Sequence, residues 1–260
     1  MRIVRFIARG RAKYGILAKN TIRGLCGSPF SHFQHLNNPS VFDGNTYSLD
    51  KVVLLSPCLP SKIVCLGLNY RSHIEEMKLP VPSLPLIFLK PSTAVIGSDD
   101  KIVLPRDWKR IDFEGELGVV IGKKAKDVRE EEAKQFVLGY TCFNDVSDRN
   151  AQAADGQWTR AKGHDTFAPI GPWIQTVANP DNLKLETYLN GELRQSASTS
   201  DLIFGISRLI NFISGIMTLL PGDVIATGTP SGVGPLKPGD VVEIRIENIG
   251  TLKNFVVARD

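Results

Sequence analysis

The spacing of apolar residues divides the chain into two regions near residue 55. In the first region, β-rich runs alternate with turn residues, which predicts a meander of short strands. The runs lie at 3–7, 14–17 and 21–22. A proline-containing linker follows at 56–60, and the chain beyond it begins with a continuous apolar run. We therefore expect a small β-rich N-terminal domain at 1–55 and a larger domain at 56–260.

The larger region carries more strand signals than helix signals. Strands are expected at 62–67, 86–89, 102–104, 114–121, 139–143, 183–189, 224–227 and 241–246. An apolar stripe at helical spacing predicts one long helix at 206–220, with shorter helices at 72–77 and 130–137. Residues 148–165 are expected to be irregular. Since strands outnumber helices and rarely alternate with them, we expect a β-dominated α+β fold rather than a doubly wound parallel sheet.

Composition and charge narrow the class of protein. Hydrophobic residues make up 42% and charged residues 22%, which are ordinary values for a globular protein. No apolar run reaches the length of a membrane span, so no membrane partner is expected. The four cysteines form no C-x-x-C pair, which favours a reducing, cytoplasmic setting and disfavours a cysteine zinc site. The net charge of +4 is mild, and nucleic-acid binding is not expected.

The first 42 residues contain no Asp or Glu but several Arg and Lys residues. Such a composition occurs in organelle-targeting peptides and in basic binding surfaces. The alternation of strand and turn signals favours a folded β-meander instead.

Three carboxylates have the spacing of a metal site. Because side chains alternate along a strand, Glu114 and Glu116 project to one side, and the apolar run after them predicts a strand that enters the core. Carboxylates this close repel each other unless a cation or proton lies between them. Asp145 follows a second apolar strand, and with no His or Cys nearby the three predict Mg²⁺ or Mn²⁺, with Ca²⁺ as an alternative. A solvated strand face and a turn-capping Asp are the structural alternatives.

Three further segments carry candidate chemistry. His73 and Glu76 share one face of a short helix, so the carboxylate could orient the imidazole for acid–base work, although surface pairs of this kind are common. Lys162 lies in a polar stretch where its ammonium could meet an anionic substrate. The glycine-rich segment 227–234 allows close approach of backbone and offers hydroxyl groups to a carboxylate. It lacks the spacing of a phosphate loop or a dinucleotide motif.

Taken in order, these motifs resemble the fumarylacetoacetate hydrolase superfamily over residues 62–257. The matching segments are Leu66-Gly67-Leu68-Asn69-Tyr70 with His73 and Glu76, Phe88-Leu89-Lys90-Pro91, Glu114-x-Glu116-Leu117, Asn144-Asp145-Val146-Ser147-Asp148-Arg149, Lys162, Asn190-Gly191-Glu192 and 227–234. Residues 1–55 resemble the small N-terminal domain of many bacterial and archaeal members.

The resemblance implies twisted, rolled β-sheets around a site that binds Mg²⁺ or Mn²⁺, in a homodimer. The implied metal ligands are Glu114, Glu116 and Asp145. The implied catalytic residues are the dyad His73 and Glu76, which would handle water or a proton, and Lys162, which would meet developing negative charge. Substrate contacts are expected from Thr229, Gln152, Arg71 and Lys90. Segment 68–82 would form a lid that becomes ordered on substrate binding.

The implied activity is that of a 2-hydroxydienoate ketonising isomerase or an acylpyruvate-type carbon–carbon hydrolase, as in aromatic catabolism. The substrate would be a small dicarboxylate or 2-oxo acid, which can chelate a metal through its carboxylate and C2 oxygen. The same site could instead decarboxylate oxaloacetate or a related 2-oxo diacid. Outside the enzymes, a non-catalytic module for metal–carboxylate complexes and a basic surface-binding protein remain as alternatives.

Overall fold

The computed structural model describes residues 1–176 and 179–259. Its strands in chain order are β1 (Arg2–Ala8), β2 (Arg11–Ala18), β3 (Thr21–Leu25), β4 (Phe42–Ser48), β5 (Val53–Leu55), β6 (Ile63–Gly67), β7 (Leu86–Lys90), β8 (Val95–Ile96), β9 (Lys101–Leu104), β10 (Ile111–Phe113), β11 (Gly115–Ile121), β12 (Val137–Asn144), β13 (Ser147–Asp148), β14 (Ala168–Gln175), β15 (Lys184–Leu189), β16 (Glu192–Ser198), β17 (Val224–Ala226), β18 (Gly234–Pro235), β19 (Val241–Ile246) and β20 (Gly250–Ala258). The α-helices are α1 (Arg71–Met77), α2 (Arg149–Asp155), α3 (Thr159–Lys162) and α4 (Ile206–Ile216). Short 3₁₀ helices lie at Pro29–His32, Pro39–Val41, Leu49–Lys51, Ser92–Ala94, Glu130–Phe136, Pro180–Asn182 and Thr199–Asp201.

A mixed sheet of 12 strands runs through the described chain. Its order is β4-β3-β2-β1-β14-β12-β11-β17-β6-β7, with β5 beside β1 and β8 beside β14. At its centre, every residue of β11 is buried, because this apolar strand is covered on both faces. The predicted β-dominated α+β fold is confirmed.

A second sheet packs over the centre of the first. It has five strands in the order β16-β15-β19-β20-β9. Leu117 of β11 shares one apolar cluster with Leu185 of β15 and Ile244 of β19. Helix α4 closes the same cluster with Leu209 and Ile213. A small third sheet, β13-β10-β18, lies beside the start of β11.

The N-terminal strands extend the large sheet. Ile3 of β1 pairs with Ile174 of β14 in antiparallel register. The N-terminal strands also bury an apolar cluster of their own, which includes Val4, Phe6 and Ile22. The predicted domain boundary at residue 55 stays a prediction. Within the described residues, no helix is long and apolar enough to cross a membrane.

Two predicted elements differ from the structure around the site. The strand expected at 114–121 begins at Gly115, because Glu114 lies in a break after β10 and its amide donates to the side-chain oxygen of Asn144 at 3.0 Å. The stretch expected to be irregular at 148–165 holds the two short helices α2 and α3 instead. Helix α2 begins because the Asp148 carboxylate accepts hydrogen bonds from the amides of Asn150 and Ala151.

Two predicted helices also differ. The long helix ends at Ile216 rather than at residue 220, because the backbone of Leu219 pairs with Ala125 in a β-bridge. The helix expected at 130–137 is a 3₁₀ helix over Glu130–Phe136, in which only Ala133 is buried. A segment that buries a single small residue gains little packing energy from forming an α-helix, since most helical stability in proteins comes from burying an apolar face.

Candidate metal centre and active site

Three acidic side chains converge where β11 and β12 run side by side. Glu114 lies at the break between β10 and β11, Glu116 lies within β11, and Asp145 directly follows β12. The antiparallel register pairs Gly115 with Asn144, which brings the end of β12 to the start of β11. One carboxylate oxygen of each acidic residue lies within 4.8 Å of the other two. One cation with metal–oxygen bonds of roughly 2–2.5 Å can span such a separation.

Two buried lysines and the half-buried Arg149 neutralise two of the carboxylates. The Lys162 ammonium lies 3.0 Å from Glu114 Oε2 and 2.5 Å from Asp145 Oδ2. Arg149 contacts Glu114 Oε1 at 2.6 Å, and Lys90 contacts Asp145 Oδ1 at 2.5 Å. Burial alone would raise the pKa of Glu114, but the Lys162 and Arg149 cations outweigh it and hold this pKa well below its usual range. These two carboxylates are therefore compensated before any metal binds.

Glu116 is not compensated in this way. Burial raises its pKa well above the usual value, and the neighbouring Asp145 and Glu114 carboxylates raise it further. Its Oε2 accepts a hydrogen bond from the Gly228 amide at 2.8 Å, whereas its buried Oε1 has no hydrogen-bond partner among the described residues. Gly228 has a φ of 97°, and a Cβ at this position would lie 2.9 Å from the Cβ of Asn69. Glycine is thus needed for the backbone to reach Glu116.

A divalent cation fits this donor set. The cluster offers three carboxylates, and one of them, Glu116, has a buried oxygen without a partner among the described residues. Buried polar groups without partners are rare in folded proteins. Mg²⁺ and Mn²⁺ favour oxygen ligands of this kind. The residues that could hold the ion are the three that the sequence predicts.

The predicted dyad lies on helix α1. His73 Nδ1 and Glu76 Oε2 are 3.2 Å apart, so the imidazole is held on the side of its Nδ1 atom. Glu76 Oε1 also accepts a hydrogen bond from the Gly232 amide at 3.4 Å, which links α1 to the glycine-rich segment 227–234. His73 lines the cavity described next, so its imidazole is available to a bound molecule.

A cavity of about 420 Å³ opens beside the carboxylates. Its apolar lining includes Leu66, Leu68, Met77, Leu79, Phe88, Trp158 and Val233. Its polar lining includes His73, Arg110, Asp112, Glu114, Arg149, Gln152, Lys162 and Thr229. A larger and more open depression of about 520 Å³, around Trp173 and Arg245, is lined by none of these residues. The 420 Å³ cavity combines apolar walls with charged groups that converge beside the acidic cluster, as is typical of a ligand-binding site.

Two of the four predicted substrate-binding residues line the cavity, and two do not. Gln152 and Thr229 line the cavity, and the Thr229 hydroxyl donates to the Gly115 carbonyl oxygen at 3.0 Å. Lys90 is buried, and its ammonium contacts Asp145 and the Val146 carbonyl oxygen. Arg71 lies exposed in the first turn of α1. Neither Lys90 nor Arg71 is among the cavity-lining residues, and their contacts with a substrate stay predictions.

Arg149 is a site residue to which the sequence alone assigns no role. Its guanidinium contacts Asp112 at 2.9 Å, Glu114 at 2.6 Å and the side-chain oxygen of Gln152 at 2.9 Å. Burial would lower the pKa of Arg149, but Glu114 and Asp112 outweigh it and raise this pKa, so the cation is retained. Its spacing of three residues from Gln152 is a signal for this contact, but only where the chain after 148 is helical.

Together, fold and site define a β-rich protein with a candidate divalent-metal centre beside a cavity lined by apolar and charged side chains. Comparison with known proteins agrees with this class. Residues 62–257 match the family model described as fumarylacetoacetate (FAA) hydrolase C-terminal, and residues 1–57 match that described as Rv2993c-like, N-terminal. The chain belongs to the fumarylacetoacetate hydrolase family.

Individual relatives are similar over most of the chain. Protein Rv2993c of Mycobacterium tuberculosis is 52% identical over 87% of this chain and 86% of its own length. The mitochondrial oxaloacetate tautomerase Fahd2a of Rattus norvegicus is 42% identical over 80% of this chain and 70% of its own length.

Solved structures match along the whole length of both chains. The 5-carboxymethyl-2-hydroxymuconate delta-isomerase from Mycobacterium smegmatis superposes with a TM-score of 0.92 at 45% identity, covering 100% of each chain. The maleylpyruvate hydrolase from Sphingobium sp. SYK-6, in complex with manganese(II) and pyruvate, superposes with a TM-score of 0.84 at 32% identity, also covering 100% of each chain.

Proposed function

We propose that this protein is a divalent-metal-dependent enzyme that acts on a 2-oxo acid or its enol, either ketonising a 2-hydroxydienoate or hydrolysing an acylpyruvate-type carbon–carbon bond. The observation that carries the proposal is the unpartnered Oε1 of Glu116 in a buried cluster with Glu114 and Asp145, beside a cavity lined by His73. Mg²⁺ or Mn²⁺ bound there would supply Lewis-acid polarisation of a chelated C2 oxygen.

The residues of the chain itself would bind the anionic substrate and move protons. Lys162 and Arg149 place two cations in the cavity wall, where a carboxylate or an enolate oxygen would be attracted. Burial would lower the pKa of Lys162, but Asp145 and Glu114 raise it, so this side chain stays a cation. Its role would be to hold negative charge rather than to accept a proton.

The dyad would carry the proton. With Nδ1 of His73 directed at Glu76, Nε2 is the atom left to take a proton from water or from the substrate. The Glu76 carboxylate would fix the orientation of the ring. Such a dyad supports hydrolysis, in which a proton is removed from water, and ketonisation, in which a proton moves from the enol oxygen to carbon. Loss of carbon dioxide does not need a base.

The names of the similar proteins are consistent with this chemistry. They include an isomerase of a hydroxymuconate, a tautomerase of oxaloacetate and a hydrolase whose structure holds manganese and pyruvate. Proton transfer on a small oxo acid is common to the first two names. Oxaloacetate is therefore a second candidate substrate, with tautomerisation and decarboxylation as its two outcomes.

We also propose that residues 1–55 form a small N-terminal domain and that the protein acts as a homodimer, as the family resemblance implies. The match of a separate N-terminal family model supports the first statement. The boundary would then fall in the linker between β5, which pairs with β1, and β6, which lies beside the terminal strand β7 at the other end of the large sheet.

The proposed function is tested with a substrate panel. Acetylpyruvate, oxaloacetate and a 2-hydroxydienedioate would each be incubated with Mg²⁺ or Mn²⁺, and the enol absorbance would be followed. We expect turnover of at least one compound, loss of activity in EDTA, and recovery when Mg²⁺ or Mn²⁺ is restored in excess. Activity that survives complete chelation, or no turnover of any 2-oxo acid, would contradict the proposal.

A further inference from the structure

Gln195 connects the second sheet to both halves of the candidate site. It lies on β16, is 1% exposed, and points its amide between the sheets toward Gly115 and Thr229. We propose that Gln195 is a positioning residue, which holds the strand of the metal ligands and the loop of Thr229 in one fixed relation. This inference rests on the proposed function, because it assigns the two partners to metal binding and substrate binding.

The oxygen of the Gln195 amide holds the start of β11, where two of the candidate metal ligands lie. It accepts hydrogen bonds from the Gly115 amide at 3.0 Å and from the Thr187 hydroxyl at 2.7 Å. Gly115 lies directly between Glu114 and Glu116, so this contact fixes the backbone from which both carboxylates project. A Cβ on Gly115 would lie 2.2 Å from the Thr187 hydroxyl oxygen, so the close approach of the two sheets requires glycine here.

The nitrogen of the same amide holds the loop. It donates to the Thr229 hydroxyl at 2.8 Å and to the Pro230 carbonyl oxygen at 2.9 Å. Both donors and both acceptor positions of Gln195 are thus engaged, which is the full capacity of a primary amide. A buried amide satisfied in this way can adopt one orientation only.

The bonds close into a ring. The Gly115 amide donates to Gln195, Gln195 donates to the Thr229 hydroxyl, and this hydroxyl donates to the Gly115 carbonyl oxygen at 3.0 Å. A shift of the loop therefore has to move the backbone between the two glutamates, and the reverse also holds. The Thr229 hydroxyl hydrogen is donated to the Gly115 carbonyl oxygen. The effect of Thr229 on a substrate carboxylate would therefore depend on where the ring holds the loop.

Thr187 provides a matched control. It is as deeply buried as Gln195 and bonds to the same amide oxygen, but it makes no hydrogen bond to Gly115 or Thr229 in the described structure. Thr187→Val removes one hydrogen bond from the interface with little change of shape. Gln195→Met opens the ring at similar volume, because it removes two of the three bonds and leaves only the one from Thr229 to Gly115. Gln195→Glu keeps the acceptor for Gly115 while losing both donors to the loop.

The test measures ligand binding beside turnover. Calorimetry would give the Kd of Mn²⁺ for each purified full-length variant, and then the Kd of oxalate at saturating Mn²⁺. We expect Gln195→Met to raise both constants about tenfold, the scale expected when one or two hydrogen bonds that hold a site are lost. Gln195→Glu is expected to raise the oxalate Kd and the KM about tenfold without weakening Mn²⁺. Thr187→Val should lower Tm by less than Gln195→Met, because it removes one of the four hydrogen bonds of the amide, and both constants should stay within twofold of the parent chain.

The outcomes separate a positioning role from a purely structural one. Equal weakening in Thr187→Val and Gln195→Met, or a lower Tm of Gln195→Met with unchanged Kd values, would overturn the inference. If Gln195→Met does not fold, Gln195→Glu carries the test, and failure of both to fold while Thr187→Val folds would also assign a structural role and overturn it. A parent chain that binds Mn²⁺ but turns over no 2-oxo acid would end the proposed function alone, since the binding constants would still report on Gln195.

Discussion

Glu116→Gln is expected to lower kcat/KM by about a thousandfold or more and to weaken Mn²⁺ binding about a hundredfold. The change keeps the size of the side chain and an oxygen for the Gly228 amide, but it removes one of three negative charges from the candidate metal site. A thousandfold loss corresponds to roughly 4 kcal/mol of transition-state stabilisation, which is within what a Lewis-acid site supplies.

The stability of the metal-free variant gives an independent readout. Burial and two neighbouring carboxylates raise the pKa of Glu116 above its value in the unfolded chain, so at neutral pH its ionisation opposes folding. An uncharged amide removes that opposition. We therefore expect the metal-free Glu116→Gln protein to have a Tm equal to or above that of the metal-free parent, while losing the stabilisation that added Mn²⁺ gives the parent.

An exposed glutamate serves as the control for this change. Glu192 lies at the start of β16 on the surface, and Glu192→Gln is expected to change neither Mn²⁺ binding nor turnover. Turnover by Glu116→Gln within tenfold of the parent, in the presence of Mg²⁺ or Mn²⁺, would remove Glu116 from the proposed metal site.

His73→Gln is expected to lower kcat for hydrolysis or ketonisation by about a hundredfold to ten-thousandfold, the usual contribution of a general acid–base. The imidazole lines the cavity and is oriented by Glu76, so its loss removes the proposed proton carrier without removing a metal ligand. The Kd of Mn²⁺ should therefore stay within about twofold of the parent. His73 is not one of the three candidate ligands, and a side chain that is merely near the ion contributes little to its affinity.

The same variant distinguishes the fates of the substrate. If the enzyme decarboxylates oxaloacetate, this activity should fall less than tenfold in His73→Gln, because loss of carbon dioxide needs no general base. Glu75→Gln, on the exposed side of α1, provides the control and should leave every activity unchanged. Full ketonisation or hydrolysis in His73→Gln would exclude the dyad as the proton carrier.

The elements that position the site follow from local signals in the sequence. The period of two in Glu114-x-Glu116 and the apolar run of β11 are strong, short-range features, as is the Asn190-Gly191 hairpin between β15 and β16. The class of the fold and the acidic cluster could therefore be predicted. The break at Glu114 could not, because it depends on a side-chain bond from Asn144, 30 residues away.

The groups that surround the cluster depend on long-range packing. Lys90 and Lys162 reach Asp145 from separate elements, 55 and 17 residues away in the chain. Gln195 reaches Gly115 across 80 residues and between two sheets. A single sequence contains no periodic signal for such long-range contacts, because each contact depends on how sheets and helices pack rather than on local spacing. Lys90 and Lys162 could be named from the sequence, but their contacts with Asp145 become recognisable only when the sheets are assembled.

The central claim is that Glu114, Glu116 and Asp145 hold one divalent cation, and anomalous X-ray diffraction from crystals grown with Mn²⁺ tests it most directly. We expect one strong anomalous peak, roughly 2.0–2.3 Å from an oxygen of each of the three carboxylates. No peak in the cluster at saturating Mn²⁺, or a peak at other residues with Lys162 still joining Glu114 to Asp145, would contradict it.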